Sequence, residues 1–155
     1  MGMQDLLKAF ELINKKIPDQ KDFNGEKSEN LLCMAEEALD IKFPPTYRYF
    51  LKNHGCGGID GFEVYGLIDE RFAPLYSSDT VGITLDARKQ YNLPKEFIII
   101  SDTGDGYWYA LDSSYPNKDG EYPVVICGLG AREKVNEDFG EFFLENVTNL
   151  LSDDE

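Results

Sequence analysis

The chain has 155 residues, of which 29 are Asp or Glu and 15 are Lys or Arg, so its formal net charge is -14. This length corresponds to one domain that can bury a full core without a metal or disulfide. An apolar fraction of 42% argues against intrinsic disorder. The charge argues against direct binding to nucleic acid, which requires clustered Lys and Arg, so any partner should be basic.

The acidity is concentrated in the part of the chain after Asn53. Residues 1–53 contain 8 basic and 9 acidic side chains, a net charge of -1, whereas the remainder contains 7 and 20, a net charge of -13. A charge of this size accelerates encounter with a positively charged partner, although it does not determine a fold.

Targeting signals and cysteine usage predict a cytoplasmic protein. The sequence has no run of about 18 apolar residues that could span a membrane, and its first residues lack the basic region of a secretion signal. The three cysteines form no CxxC pair. We therefore expect a reducing compartment in which all three are small core hydrophobes, namely Cys33, Cys56 and Cys127.

The first third of the chain is predicted to be helical. Apolar residues at helical spacing predict a helix over residues 4–16, which Pro18 ends, and the polar residues 18–27 predict a surface loop. Ser28 has the chemistry of an N-cap for a second helix, whose expected buried residues are Leu31, Leu32, Ala35, Ala38 and Leu39. Pro44 and Pro45 introduce a third helix over residues 46–53, with Tyr47, Phe50 and Leu51 buried.

After the glycine cluster at residues 55–61 the hydrophobic period becomes strand-like. Strands are predicted over residues 62–68, 97–100, 107–111 and 123–127, with helices over 79–91, which Asp79 could cap, and 138–151. The unbroken apolar run at 97–100 indicates a strand buried on both faces, and Gly104-Asp105-Gly106 predicts a hairpin after it. This order predicts a single α+β domain with N-terminal helices, a mostly antiparallel sheet and a C-terminal helix.

Asp102-Thr103-Gly104 only looks like a catalytic motif. It follows an apolar strand, as the triplet of an aspartic protease does, and two copies of that triplet share one proton. A chain with one copy would have to dimerise, and Asp105 stands where such enzymes carry a small apolar residue. A turn rich in Asp and Gly explains the same residues, so a dimeric aspartic-type protease is a remote alternative.

No other catalytic or metal-binding constellation is evident. His54 is the sole histidine, so a hydrolytic triad lacks its usual base, and no nucleophile, base and orienting group assemble in the pattern. We expect a non-enzymatic protein without a metal or a cofactor.

Residues 37–53, EALDIKFPPTYRYFLKN, and the glycine cluster after them carry a family resemblance. An acidic helix, a Phe-Pro pair, a Tyr three residues before Phe-Leu and a glycine-rich exit resemble the SUKH superfamily, named partly after fungal cell-wall-assembly regulators. The strand at 97–100 leading into Asp102, the glycine-rich hairpin, and Phe139 with Phe142-Phe143-Leu144 continue the resemblance, which covers about residues 28–147.

The resemblance implies an α+β domain without catalytic activity and, in bacteria, an immunity protein that neutralises a secreted polymorphic toxin, very often a nuclease. A nuclease domain is basic because its substrate is a polyanion, so an acidic protein would be steered to the same surface. The alternative is a regulatory module of the same fold with a non-toxin protein partner. We expect residues 28–151 to form the SUKH-like domain, residues 1–27 to be a helix and loop of the same domain, and residues 152–155 to be an acidic tail.

The candidate partner-binding residues, which we expect to be exposed, lie in the acidic part of the chain. Tyr107 and Trp108 alternate on a predicted strand, so one ring should face the core and the other should face out. An exposed aromatic ring surrounded by carboxylates is typical of an interface anchor. The alternative, that both rings pack against helices and the carboxylates are ordinary turn residues, stays open. The predicted set is Asp60, Glu63, Asp69, Glu70, Asp102, Asp105, Tyr107, Trp108 and Asp112.

Overall fold

Within residues 2–19, 21–74 and 77–152, which the computed structural model describes, the chain forms five helices and two antiparallel sheets. The order of elements is α1 (Met3–Lys16), β1 (Lys21–Phe23), α2 (Glu29–Leu39), α3 (Pro45–His54), β2 (Gly57–Ile59), β3 (Phe62–Val64), α4 (Thr80–Tyr91), β4 (Phe97–Asp102), β5 (Trp108–Asp112), β6 (Val124–Gly128), β7 (Ala131–Asn136) and α5 (Phe139–Leu151). The small sheet has the strand order β1-β2-β3 and the large sheet the order β4-β5-β6-β7. The predicted α+β class is confirmed. The predicted acidic tail lies mostly outside the described residues.

Side-chain caps fix the start of three helices. The Ser28 hydroxyl accepts the Leu31 N–H at 3.1 Å, and Asp79 accepts the Gly82 N–H at 2.9 Å, so both predicted caps are confirmed. Asp138 caps α5 in the same way. Each cap satisfies an amide that has no partner within its helix.

The large sheet is buried on both faces around β4. Phe97 is 2% exposed and Ile98, Ile99 and Ile100 are fully buried, which confirms the predicted two-sided burial. Ile98 and Ile100 join the main core, to which α1, α3 and α5 also contribute, whereas Phe97 and Ile99 pack in a smaller cluster with Ala87 of α4. The sheet therefore lies between the main core and α4.

Hydrogen bonds along the outer edge of β4 fix its neighbours. The Thr80 hydroxyl donates to the Ile99 carbonyl at 2.6 Å, and the Tyr65 N–H donates to the Ile100 carbonyl at 2.7 Å. The Ser101 hydroxyl donates to the Glu63 carbonyl at 2.6 Å. These bonds satisfy an edge that would otherwise be unpaired, and they place the end of β3 beside the end of β4.

Three strands were not predicted. The expected loop at residues 18–27 contains β1, and the glycine cluster contains β2, because Gly57 permits a close backbone approach: a Cβ there would lie 2.0 Å from the Asp22 carbonyl oxygen. β7 was missed because Arg132, Glu133 and Lys134 give it no apolar alternation; charged residues are common on edge strands. The strand predicted over 62–68 ends at Val64.

Two expectations about the burial of α2 residues are wrong. Ala38 is exposed, and Glu36 is buried in its place on α2 because its carboxylate accepts the Phe43 N–H at 2.8 Å and pairs with Arg48 at 3.3 Å. Cys33 is exposed on the same helix, whereas the other two cysteines are buried as expected. No helix among the described residues is long and apolar enough to cross a membrane.

Candidate partner-binding surface

Glu63 and Asp102 come together where the two sheets meet. Both line one depression of about 400 Å³ together with Tyr65 and Ser101. The hydrogen bonds that join the end of β3 to the end of β4 explain this proximity, because Glu63 lies in β3 and Asp102 ends β4. Burial raises the pKa of the Tyr65 phenol, and the negative charges of Asp102 and Glu63 raise it further. The phenol is therefore neutral, and the acidic side chains of the depression are those of Glu63 and Asp102.

A second depression of about 660 Å³ adjoins the first across Glu63. Asp22, Asp60 and Glu63 supply its carboxylates, and Ser78 donates a hydrogen bond to Glu63 Oε2 at 2.7 Å. Asp22 was missed because residues 18–27 were predicted to be a loop, and only the pairing of β1 with β2 brings it here. We call Asp22, Asp60, Glu63 and Asp102 the acidic face.

Asp102 and Asp105 also form the turn of the β4–β5 hairpin. Asp102 Oδ1 accepts the Gly104 N–H at 2.6 Å, and Asp105 Oδ1 accepts the Thr103 hydroxyl. These are the local side-chain bonds that Asp and Thr form in turns. Turn formation therefore explains why Asp, Thr and Gly occupy positions 102–104.

Asp69 and Glu70 line neither depression. Asp69 pairs with Arg71 at 2.5 Å, and that hydrogen bond lowers the pKa of Asp69. Glu70 is exposed in the same segment. The structure therefore separates these two predicted residues from the acidic face.

Asp112 was expected to be exposed, and this expectation is wrong. Asp112 is 2% exposed, because its carboxylate accepts the Ser114 N–H at 3.0 Å and lies 3.5 Å from the Arg132 guanidinium. Arg132 also pairs with Glu96 at 2.6 Å. The carboxylate of Asp112 therefore closes a turn and neutralises a cation within this chain.

Tyr107 and Trp108 do not divide into one core ring and one exposed ring. Both are half-buried and line the same groove beside α4. Tyr107 lies in the turn, where its N–H donates to the Thr103 hydroxyl at 3.2 Å, so strand alternation does not apply to it. Asp102 lines this groove as well as the first depression.

The described residues offer no metal site, because no three His, Cys, Asp or Glu side chains in them converge suitably. His54 lies at the end of α3 with its ring stacked on Phe10, at a centroid distance of 3.9 Å. Burial lowers the pKa of the His54 imidazole, and the positive charge of Lys21 lowers it further. The sole histidine is therefore a neutral packing residue.

The matched family agrees with the fold and with the residues quoted for the resemblance. The family model SUKH_6, described as SMI1-KNR4 cell-wall, matches residues 29–143. This segment runs from α2 into α5 and includes most of the acidic face, while α1 and β1 precede it. The chain belongs to the SUKH superfamily.

Proposed function

We propose that this SUKH protein is an immunity protein that binds and neutralises a basic toxin domain of the nuclease class. One observation carries the proposal. The acidic face joins two depressions that four carboxylates line, and among the described residues no Lys, Arg or His lines either one. A surface of one sign attracts the opposite sign and repels nucleic acid, so the natural partner is a protein that itself binds a polyanion.

Family membership and charge distribution support the same function. SUKH proteins of bacteria include immunity proteins, as the sequence resemblance implied, and the part of the chain after Asn53 carries a net charge of -13. We expect no catalytic role for this chain, because the protease-like triplet is occupied by turn hydrogen bonds. The protein would act by covering the nucleic-acid surface of its partner.

The direct test is co-expression with a basic toxin domain encoded beside this gene. Wild-type protein should protect the cells and co-purify with the domain at low salt. If the cells die and no complex forms at low salt, the proposal is wrong. If a pull-down from extract instead captures a protein that is not a toxin, the chain is a regulatory module of the same fold.

A matched pair of variants separates the acidic face from net charge. The first neutralises the face with Asp22→Asn, Asp60→Asn, Glu63→Gln and Asp102→Asn. The second neutralises four exposed carboxylates outside the face by replacing Glu with Gln at Glu11, Glu37, Glu133 and Glu145.

Both variants change the net charge by four units, so only the position of the lost charge differs. Electrostatic steering is worth about 10- to 1000-fold in association rate. We expect the face variant to lose about tenfold or more at low salt, and the control to lose much less. Equal losses in stopped-flow association rates would show that the face has no special role.

A further inference from the structure

A groove with an apolar floor lies between the end of α4 and the large sheet, beside the acidic face. Its volume is about 650 Å³. Phe97 and Cys127 form its floor and are almost fully buried, while Tyr91 and Trp108 form a wall. α4 ends at Tyr91, and the residues that follow it, 92–94, also line the groove.

Leu129 stands at the rim of this groove and is not explained by folding. It is 91% exposed, and with Gly130 it forms the two-residue turn between β6 and β7, since Gly128 pairs with Ala131. The φ angles are 50° for Leu129 and 84° for Gly130, the pattern of a type I′ turn, which favours Asn-Gly. The left-handed backbone disfavours leucine here, and non-glycine residues held in such a conformation cluster at functional sites.

The wall of the groove is a pair of partly exposed aromatic side chains, Tyr91 and Trp108. Tyr91 is 68% exposed, and its ring centroid lies 5.7 Å from that of Trp108 at an interplanar angle of 63°. Large aromatic rings in a partly desolvated pocket are the usual anchors of protein interfaces. With Leu129 at the rim, they offer an apolar slot for one inserted side chain.

The charges at the groove select a basic occupant. The guanidinium of Arg132 pairs with Glu96 at 2.6 Å and lies 4.4 Å from the Phe97 ring centroid, so its positive charge is offset within this chain. The carboxylate of Asp102 is exposed at the border with the acidic face. A carboxylate beside aromatic rings favours a cation, and a second copy of this chain would bring a further net charge of -14.

We propose that this groove is an anchor site that takes an apolar or aromatic side chain of a basic protein partner, with a neighbouring Lys or Arg paired to Asp102. The identity of that partner as a toxin domain rests on the proposed function. The groove itself makes a separate prediction about ligand chemistry, which does not require the partner.

Small probes test the ligand chemistry alone. Trp108 is the only tryptophan, so its fluorescence and its indole N–H resonance report directly on the groove. We expect phenethylammonium at millimolar concentration to shift the Trp108 and Leu129 signals, and phenylacetate to shift them far less. Asp102→Asn should weaken phenethylammonium about two- to fivefold and leave neutral phenethyl alcohol unchanged. Equal shifts from the cation and the anion, or no shifts, would overturn the inference.

Matched variants test the groove in the complex with the basic domain. Leu129→Asn and Tyr91→Ser should each weaken the complex about tenfold or more. The controls are Leu7→Asn, at a leucine that is 47% exposed, and Tyr115→Ser, at a tyrosine as exposed as Tyr91. Leu129→Asn keeps a residue suited to the turn, so reduced binding cannot be attributed to misfolding.

The outcomes separate this inference from the proposed function. If wild-type protein binds the basic domain and the groove variants bind equally well, the groove inference is wrong and the immunity function stands. If wild-type protein does not bind, the immunity function is wrong and the small-probe titration decides the groove. If the groove variants convert a dimer into a monomer in sedimentation, the occupant is a second copy and the inference is wrong.

Discussion

Asp79 should make this protein less stable as the pH rises from 4 to 7. Its carboxylate is 1% exposed at the start of α4, where Oδ1 accepts the Gly82 N–H at 2.9 Å. Burial raises the pKa of Asp79 from its ordinary 3.8 to about 6, against the lowering effect of the backbone amides. Between pH 3.8 and about 6, the folded state therefore keeps a proton on Asp79 that the unfolded state has released.

The sign and size of the effect follow from proton linkage. Because the folded state binds more protons than the unfolded state between pH 4 and 6, the free energy of unfolding falls as the pH rises through that window. A shift of this size corresponds to about 3 kcal/mol. This figure is an upper bound, since partial solvation of the carboxylate reduces it.

Asp79→Asn removes the titration and keeps an N-cap of similar strength. We compare the free energy of unfolding of the variant with that of wild type at each pH. This difference should favour the variant by about 1–3 kcal/mol more at pH 7 than at pH 4. Urea unfolding at both values measures the two differences. Ser28→Ala, which removes the non-ionisable cap of α2, should cost about 1 kcal/mol equally at both values. If Asp79→Asn behaves like Ser28→Ala, Asp79 is ionised in the fold and the reasoning is wrong.

Two further predictions concern helix packing and thiol exposure. Gly140→Ala should destabilise the fold by about 1–3 kcal/mol in urea although alanine favours helices, because its Cβ would lie 2.0 Å from the Gly2 carbonyl oxygen; a gain in stability would show that the start of α1 moves away freely. Cys33 should react rapidly with Ellman's reagent in the native protein while the two buried cysteines, whose pKa burial raises to about 11, react only on unfolding. Cys33→Ser should abolish the fast phase, and three equally fast thiols would contradict the structure.

Sequence patterns predicted those parts of the fold that local chemistry determines. The caps at Ser28 and Asp79 and the two-sided burial of residues 97–100 follow from residue type and period. β1 and β2 could not be predicted, because their pairing depends on a close backbone approach between Asp22 and Gly57, which are far apart in the sequence. The same long-range pairing brings Asp22 to the acidic face.

The candidate site was predicted by composition and corrected by geometry. Counting carboxylates after Asn53 does not reveal which of them are already neutralised within the chain. Asp112 is paired with Arg132 and Asp69 with Arg71, whereas the hydrogen bond to Glu63 comes from the neutral hydroxyl of Ser78. Leu129 was missed because its turn can be recognised only once β7 is known, and the charged sequence of β7 does not predict a strand.

Asp102 lies on both the acidic face and the groove, and we expect these two surfaces to control different rates of binding. Exposed carboxylates on the acidic face mainly raise the association rate, and salt screens their effect. An inserted side chain in the groove is desolvated, so it mainly lowers the dissociation rate and is less sensitive to salt. Asp102 belongs to both sets, because its carboxylate lines the first depression and the groove. Its loss should therefore affect both rates, whereas loss of Asp60 should slow association alone and loss of Leu129 should speed dissociation alone.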